Sequence, residues 1–144
     1  MKTYFTCIMI SMLIAGCTST PSPEFLAKQA EIEKSVPVCV DERDCNAKWE
    51  AAQLWVIHNS AFKIQTATSV LIETYNAVQG EDGISARVTK EPMGNGKYKF
   101  VVNIWCDRVL ACPPDTGCPK ILVCRPSVQD ATLDFNKTVG AATP

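Results

Sequence analysis

The chain has 144 residues, a length that suits one domain. It carries 14 basic and 15 acidic side chains, and the basic residues form no run of three. This balance argues against nucleic acid as a partner, because phosphate binding needs clustered Lys and Arg. The unusual feature is the content of eight cysteines, which is high for a protein kept in a reducing compartment.

Near its start the chain has a positive residue, Lys2, which is followed by an uncharged, largely apolar segment over residues 3–15. This segment is shorter than the roughly 20 residues that a membrane-spanning helix needs. It suits the apolar part of a cleaved secretory signal. An uncleaved membrane anchor and a buried helix are the alternatives. The small residues Ala15 and Gly16 directly before Cys17 favour cleavage.

The end of this segment, Leu13-Ile14-Ala15-Gly16-Cys17, resembles the lipobox of bacterial lipoproteins. The resemblance implies a signal peptide over residues 1–16, a diacylglyceryl group on the Cys17 sulfur and an acyl chain, typically palmitate, on its amine. Two or more chains hold a protein on a bilayer stably, whereas one chain does so only marginally. In the enteric sorting rule, Thr18 after the lipidated residue implies the outer membrane and a domain that faces the periplasm, rather than the inner membrane or the cell surface.

Residues 17–37 are expected to form a lipidated N-terminus and a flexible tether. Pro21 and Pro23 interrupt regular structure, and the neighbouring Ser and Thr residues add nothing to a core. Residues 24–34 could form a short helix, although their apolar stripe is weak. Val36 before Pro37 would end it, because the residue before a proline is disfavoured in the α conformation.

The first strong helix is predicted over residues 44–58, behind acidic residues that suit the positive end of the helix dipole. Its apolar face has side chains at helical spacing, which are Cys45, Trp49, Ala52 and Val56, widened by Leu54 and Trp55. Both tryptophans are therefore predicted to lie in the core.

Three strands are predicted next. Residues 62–75 are rich in β-branched side chains and are expected to form one strand, with a break near Ala67 left open. Residues 84–91 and 97–106 alternate apolar and polar side chains, as half-buried strands do. Turns at residues 79–83 and 92–96 contain the glycines that such connections favour.

A Pro- and Cys-rich loop at residues 111–119 comes before a short apolar run at 121–123, which could add a fourth strand. The last helix is predicted to begin after the cap Ser127, with Asp130 three residues on. Its buried stripe consists of Val128, Ala131, Phe135 and Val139. Gly140 would end it, and residues 141–144 would form a disordered tail.

The order of these elements predicts an α+β fold for residues 38–140. A helix comes first, then an antiparallel three-stranded meander, a disulfide-rich loop and a second helix. Each strand has one apolar face that needs a cover, and the two flanking helices can supply it. We therefore expect a two-layer sandwich.

Six cysteines remain once Cys7 leaves with the signal and Cys17 takes the lipid. They are Cys39, Cys45, Cys106, Cys112, Cys118 and Cys124, and we interpret them as a disulfide framework. Local pairing would join 39–45, 106–112 and 118–124. A nested alternative joins 112–118 and 106–124 across a hairpin centred on Asp115. The spacing does not decide between them.

Part of this framework is similar to that of small proteobacterial lipoproteins. The similarity rests on the residues Cys39, Cys45, Trp49, Trp55-Val56, Cys106 and Cys112. It implies local pairing and brings no activity. The pair Cys118 and Cys124 departs from that pattern.

The sequence contains no recognisable catalytic constellation, so we predict no catalytic residue, no cofactor and no metal. His58 is the only histidine, and its position suits the last turn of a helix. The cysteine spacings are wider than those of zinc knuckles or of Cys-x-x-Cys redox pairs. Asn136-Lys137-Thr138 matches a glycosylation sequon, which we discount on a helix of a bacterial lipoprotein.

These features predict a lipid-anchored periplasmic protein that acts by contact with an envelope protein and is not an enzyme. Its partners would be the bilayer, through the Cys17 acyl chains, and an unidentified protein, but not nucleic acid. The alternative is a periplasmic inhibitor or immunity protein against a cell-wall hydrolase. In that case the stapled loop from Cys112 to Cys118 would plug the enzyme, because a preorganised loop loses little entropy on binding.

Overall fold

The computed structural model describes residues 21–76, 83–106, 109–110, 121–122 and 126–144. The helices in this part of the chain are α1 (Pro23–Ser35), α2 (Glu42–Asn59) and α3 (Val128–Gly140). The strands are β1 (Val38–Cys39), β2 (Ile64–Ala67), β3 (Leu71–Thr74), β4 (Ser85–Gly94), β5 (Lys97–Trp105), β6 (Val109–Leu110) and β7 (Ile121–Leu122).

Five strands form one antiparallel sheet in the order β1-β5-β4-β3-β2. The hairpin of β4 and β5 is its centre, with pairing from Ser85 opposite Trp105 to Gly94 opposite Lys97. The strands β1 and β2 therefore lie at the two edges. The α+β class and the antiparallel sheet were predicted correctly, but the expected three-stranded meander was wrong in its number of strands.

The run at residues 62–75 contains two strands, and the break lies after Ala67, where the sequence had left an interruption open. Thr68 closes the turn between β2 and β3, because its backbone N–H donates to Leu71 O at 2.8 Å and its hydroxyl accepts from Leu71 N at 3.0 Å. The short strand β1 was not predicted and pairs with β5. The apolar run at 121–123 contains β7, but β7 pairs with β6 and not with the main sheet.

The core lies between one face of the sheet and the helices α2 and α3. The sheet contributes buried apolar side chains, which are Ile72, Ala86, Val88, Phe100 and Ile104. The helices contribute Cys45, Trp49, Ala52, Trp55 and Val56 from α2 and Ala131, Phe135 and Val139 from α3. The Trp49 ring stacks on Phe100 with 5.9 Å between centroids, and Trp55 meets Phe135 edge-on at 5.2 Å.

Most of the predicted helix faces are confirmed by this core, with one exception. Leu54 was expected to widen the buried face of α2, but its side chain is 55% exposed. The start of α3 is as predicted, since the Ser127 hydroxyl accepts from Asp130 N at 3.1 Å. Val128 at the head of the predicted stripe is partly buried against the core.

Residues 23–35 form helix α1, in the part of the expected tether where the sequence left a short helix open. Pro23 occupies the first helical position, and the Ser22 hydroxyl accepts from Phe25 N at 3.1 Å. Proline is tolerated at this position because its missing N–H has no intrahelical partner to lose. The remaining predicted tether residues 17–20 lie outside the described part of the chain.

Helix α1 lies against α3 through polar contacts. Lys28 Nζ is 3.0 Å from Asp130 Oδ1, and Asn136 Nδ2 donates to Ile32 O at 3.1 Å. No side chain of α1 is buried. The apolar stripe of α1 is therefore weak, as expected, and hydrogen bonds and an ion pair hold the helix against α3.

Candidate interaction surface

The disulfide Cys39–Cys45 is the predicted bond that the structure confirms. It joins β1 to the first turn of α2, and both cysteines are buried. Cys106 is also disulfide-bonded. Cys17, Cys112, Cys118 and Cys124 lie outside the described residues, so lipid attachment and the remaining pairings stay predictions.

A network of hydrogen bonds caps the helix that this disulfide clamps. Asp41 Oδ1 accepts from Asp44 N at 2.9 Å, and Asp44 Oδ2 accepts in turn from Val40 N at 3.1 Å. Lys48 Nζ donates to the other oxygen of Asp44 at 2.6 Å. The hydrogen bond from Lys48 lowers the pKa of the Asp44 carboxyl, and the bond from Val40 lowers it further. The arrangement is a structural cap for the start of α2.

The lone histidine and the acidic groups of the described residues do not assemble a metal site. His58 is exposed in the last turn of α2, where the sequence placed it. Within the described ranges, no group of three or more His, Cys, Asp or Glu side chains is placed to hold a metal ion. No helix in these ranges is long and apolar enough to cross a membrane.

The open side of strand β2 is the most suitable binding feature of the sheet. Among the described strands, β2 pairs only with β3. The strand Ile64–Ala67 contains neither a charged residue nor a proline, which are the usual protections of an edge strand. A register shift between Ile64 and Thr66 disturbs its pairing with β3, and such a bulge is one protective feature that this edge does have.

An exposed apolar side chain of α2, Ile57, lies beside this edge. Leu54 and Ile57 are one turn apart on the helix and are 55% and 57% exposed. A cavity of about 360 Å³ opens between α2 and β2, and its lining consists of Ile57, Ser60, Ala61, Phe62, Lys63 and Ile64. We use the name edge surface for Leu54, Ile57, Phe62 and the strand Ile64–Ala67.

The loop between α2 and β2 is held by hydrogen bonds to Ile84, the residue before β4. The Ser60 hydroxyl accepts from Phe62 N at 3.1 Å and lies 3.1 Å from Ile84 O. Ala61 N donates to the same carbonyl at 3.2 Å. Gly83 approaches Ala61 so closely that a Cβ at Gly83 would overlap the Ala61 Cβ. Ser60 and Ala61, which line the cavity, are therefore held in place by hydrogen bonds and by close packing.

The sheet face that points away from α2 and α3 is more polar. One cross-strand row on this face contains Glu73, Arg87 and Asn103, and Glu73 forms an ion pair with Arg87. At the other end, Lys99 Nζ lies 3.0 Å from Glu91 Oε2 and lowers the pKa of that carboxyl. Paired charges make this face a weaker candidate for apolar docking than the edge surface.

Sequence reasoning missed the edge surface for a physical reason. Leu54 and Ile57 lie on α2 next to its buried face, and only the packing of α2 on the sheet decides which apolar side chains remain outside. The position of β2 at the edge also depends on the order of the strands. No protein-family model matches the chain, and neither the curated proteins nor the solved structures give a significant match.

Proposed function

We propose that this chain is a lipid-anchored protein of the bacterial outer membrane whose periplasmic domain binds another envelope protein and catalyses no reaction. The anchor is supported by the sequence Leu13-Ile14-Ala15-Gly16-Cys17. The binding role is supported by one structural observation above all. The exposed side chain of Ile57 in α2 lines a cavity together with Ile64 of β2, and β2 pairs only with β3 among the described strands.

An edge strand beside an apolar cavity suits an extended segment of a partner protein. The free N–H and C=O groups of such a strand can hydrogen-bond to an added strand, and a pocket beside it selects the side chains of that strand. Here the cavity between Ile57 and Ile64 would take one apolar side chain of the partner. Lys63 in the cavity lining would favour an acidic neighbour.

The inhibitor alternative depends on the loop between Cys112 and Cys118. That loop lies outside the described residues, so no structural observation favours this alternative over general partner binding. We therefore retain the edge surface as the binding region of the proposed function.

The anchor is tested by metabolic labelling with an alkyne fatty acid in cells that express the full chain. We expect label in the wild-type protein and none in the Cys17→Ala variant, which should also leave the membrane fraction. Equal labelling of both proteins would contradict the anchor.

Partner binding is tested by a photo-cross-linking amino acid placed at Ile57 in living cells that naturally encode the chain. Met93 is the matched control position, because it is apolar and 55% exposed but lies in the β4–β5 hairpin. We expect one discrete higher-mass adduct from Ile57 and none from Met93. The absence of an adduct from Ile57, or the same adducts from both positions, would contradict binding at the edge surface.

A further inference from the structure

We infer that Phe25 and Leu26, at the start of α1, insert into the interface of the phospholipid bilayer that holds the lipid anchor. In this arrangement α1 is a second membrane contact and sets the orientation of the domain on the bilayer. The contact rests on the proposed lipid attachment at Cys17, since without that anchor nothing would keep α1 at the membrane.

The first turn of α1 has an apolar end that the domain does not cover. Phe25 and Leu26 are adjacent in the sequence and are 47% and 52% exposed. Ile32, the other large apolar residue of α1, is half-buried, and its carbonyl accepts a hydrogen bond from Asn136 of α3. The helix therefore turns one large apolar residue toward the domain and leaves two at its N-terminal end.

The length of chain before α1 keeps this end close to the membrane. Phe25 is eight positions after Cys17. A fully extended chain spans at most about 3.6 Å per residue, so Phe25 lies within about 29 Å of the lipidated residue. Confinement in this volume raises the effective concentration of the apolar end at the bilayer surface, so that even two half-exposed side chains can bind there. The exposed residues Leu54 and Ile57 of α2 follow Cys17 by 37 and 40 positions, so the same anchor holds them less closely to the membrane.

The contacts of α1 with α3 would pass its orientation on to the domain. Gln129 Nε2 donates to the carbonyl of Phe25 itself at 3.3 Å, and Lys28 Nζ binds Asp130 Oδ1 at 3.0 Å. At the other end of α1, Asn136 Nδ2 donates to Ser35 Oγ at 3.0 Å. An insertion of Phe25 into lipid therefore also sets the orientation of α3 relative to the bilayer.

The charges of α1 favour a zwitterionic lipid surface. The helix carries three acidic residues, Glu24, Glu31 and Glu33, and two basic residues, Lys28 and Lys34. It has no basic cluster of the kind that attracts anionic lipid headgroups. Glu24 beside the apolar pair would be repelled by such headgroups. The contact is therefore apolar in origin, as in helices that lie in the membrane interface.

The test uses the full lipidated chain in phosphatidylcholine vesicles that contain or lack brominated acyl chains, which quench tryptophan emission at the depth of the acyl chains. The probe is the Phe25→Trp variant, and Ile57→Trp is the matched control because Ile57 is 57% exposed on α2. The emission of the three natural tryptophans is subtracted by measuring the wild-type protein in the same vesicles. We expect the added emission of Phe25→Trp to fall about twofold or more and that of Ile57→Trp to stay unchanged.

Flotation of the vesicles separates the failure of the contact from the failure of the anchor. A protein that floats with the vesicles but shows no quenching of Phe25→Trp would overturn the contact and leave the anchor standing. A protein that does not float would overturn the anchor and the contact together. Equal quenching of Ile57→Trp would show that another face of the domain meets the bilayer, which also overturns the inference.

A second measurement avoids any change made by the introduced tryptophan. Hydrogen exchange of the α1 amides is compared with and without vesicles, in the wild-type protein and in the double variant Phe25→Ser, Leu26→Ser. We expect vesicles to slow exchange in the first turn of α1 only in the wild-type protein. Slower exchange in both proteins would contradict a role for these two side chains. Added phosphatidylglycerol is expected to leave the protection unchanged or to weaken it, and a stronger protection would contradict an apolar contact.

Discussion

The first turn of α2 concentrates a disulfide and a helix cap in a few residues. Cys39 and Cys45 close a loop with a sequence separation of 6. A bond across so short a loop removes little freedom from the unfolded chain, so its entropic contribution is about 2 kcal/mol. We expect the double variant Cys39→Ala, Cys45→Ala to lose about this amount in urea denaturation. A variant as stable as the oxidised wild type would contradict this role.

Asp44 in the same turn makes stability depend on pH. Its pKa is lowered by the hydrogen bond from Lys48 and, secondarily, by that from Val40. A carboxyl with a lowered folded-state pKa stabilises the protein above its unfolded-state pKa of about 3.9, and this stabilisation is lost as the pH falls through the folded-state pKa. The free energy of unfolding should therefore fall more steeply below about pH 4 in the wild type than in Asp44→Asn.

The measurement is urea denaturation at several pH values. Glu33→Gln is the control, because Glu33 is an exposed carboxylate of α1. It should retain the pH dependence of the wild type. Identical pH dependence in the wild type and in Asp44→Asn would show that the Lys48 contact does not stabilise the fold.

Gly83 allows the loop between α2 and β2 to pack closely against it, because glycine has no side chain. Its φ is 126°, and a Cβ there would overlap Ala61. Gly96 also has a positive φ, of 74°, but a Cβ there would meet open space. Gly96→Ala should cost about 1 kcal/mol from the backbone alone, and Gly83→Ala should cost clearly more. Equal losses in thermal unfolding would contradict the close approach of Gly83 to Ala61.

Helix α1 can detach from α3 while the core stays folded, because its contacts with α3 are mostly polar and exposed. Its side chains are not buried, and its ion pair Lys28–Asp130 is exposed to solvent. Buried Asn136 contributes more, because it donates to both Ile32 O and Ser35 Oγ. In the protein without vesicles, we expect the α1 amides to exchange faster than those of α2.

Asn136→Ala should accelerate exchange in α1 further and leave α2 unchanged. Lys137→Ala, an exposed neighbour, is the matched control and should change neither helix. Exchange of α1 at the rate of the core would show that the polar contacts hold it as firmly as apolar packing does.

The pairing of β6 with β7 helps to choose between the local and the nested disulfide schemes. Val109 pairs with Leu122, and Leu110 pairs with Ile121. Residues 109–110 therefore lie next to residues 121–122, as in a hairpin, and the nested scheme also assumes a hairpin in this part of the chain. We therefore expect Cys106–Cys124 and Cys112–Cys118 rather than the local pairing that the lipoprotein resemblance implies. Peptide mapping without reduction tests this, and a recovered Cys106–Cys112 peptide would contradict it.

The elements that the sequence predicted are those in which one periodic apolar face meets the core. The stripe of α3 and the alternation of β5 are examples, because burial and periodicity there agree. The break near Ala67 was only left open, because the turn at Thr68 contains no glycine or proline and depends on a hydroxyl. The docking of α1 was missed because it depends on Asn136, which the sequence showed only as part of a discounted sequon. The edge surface depends on strand order, and no local pattern contains that information.

On α2, the residues that stabilise the domain differ from those that are available for binding. Ile57 and Leu54 are exposed, so Ile57→Lys and Leu54→Lys should each change the free energy of unfolding by no more than about 0.5 kcal/mol. Val56→Ala, a change in the buried neighbour, should cost about 1–3 kcal/mol. Urea denaturation of the purified domain measures these changes in the free energy of unfolding.

The same lysine variants should nevertheless abolish partner binding. A photo-cross-linker at Gln65, on the exposed strand β2, should give the partner adduct in an otherwise wild-type chain. The adduct should disappear with Ile57→Lys, because a charge in the cavity wall excludes the apolar side chain of the partner. It should persist with Met93→Lys, which adds the same charge at the β4–β5 hairpin. Loss of the adduct in both variants would indicate a general effect of charge, and its persistence in both would place the partner on another face of the domain.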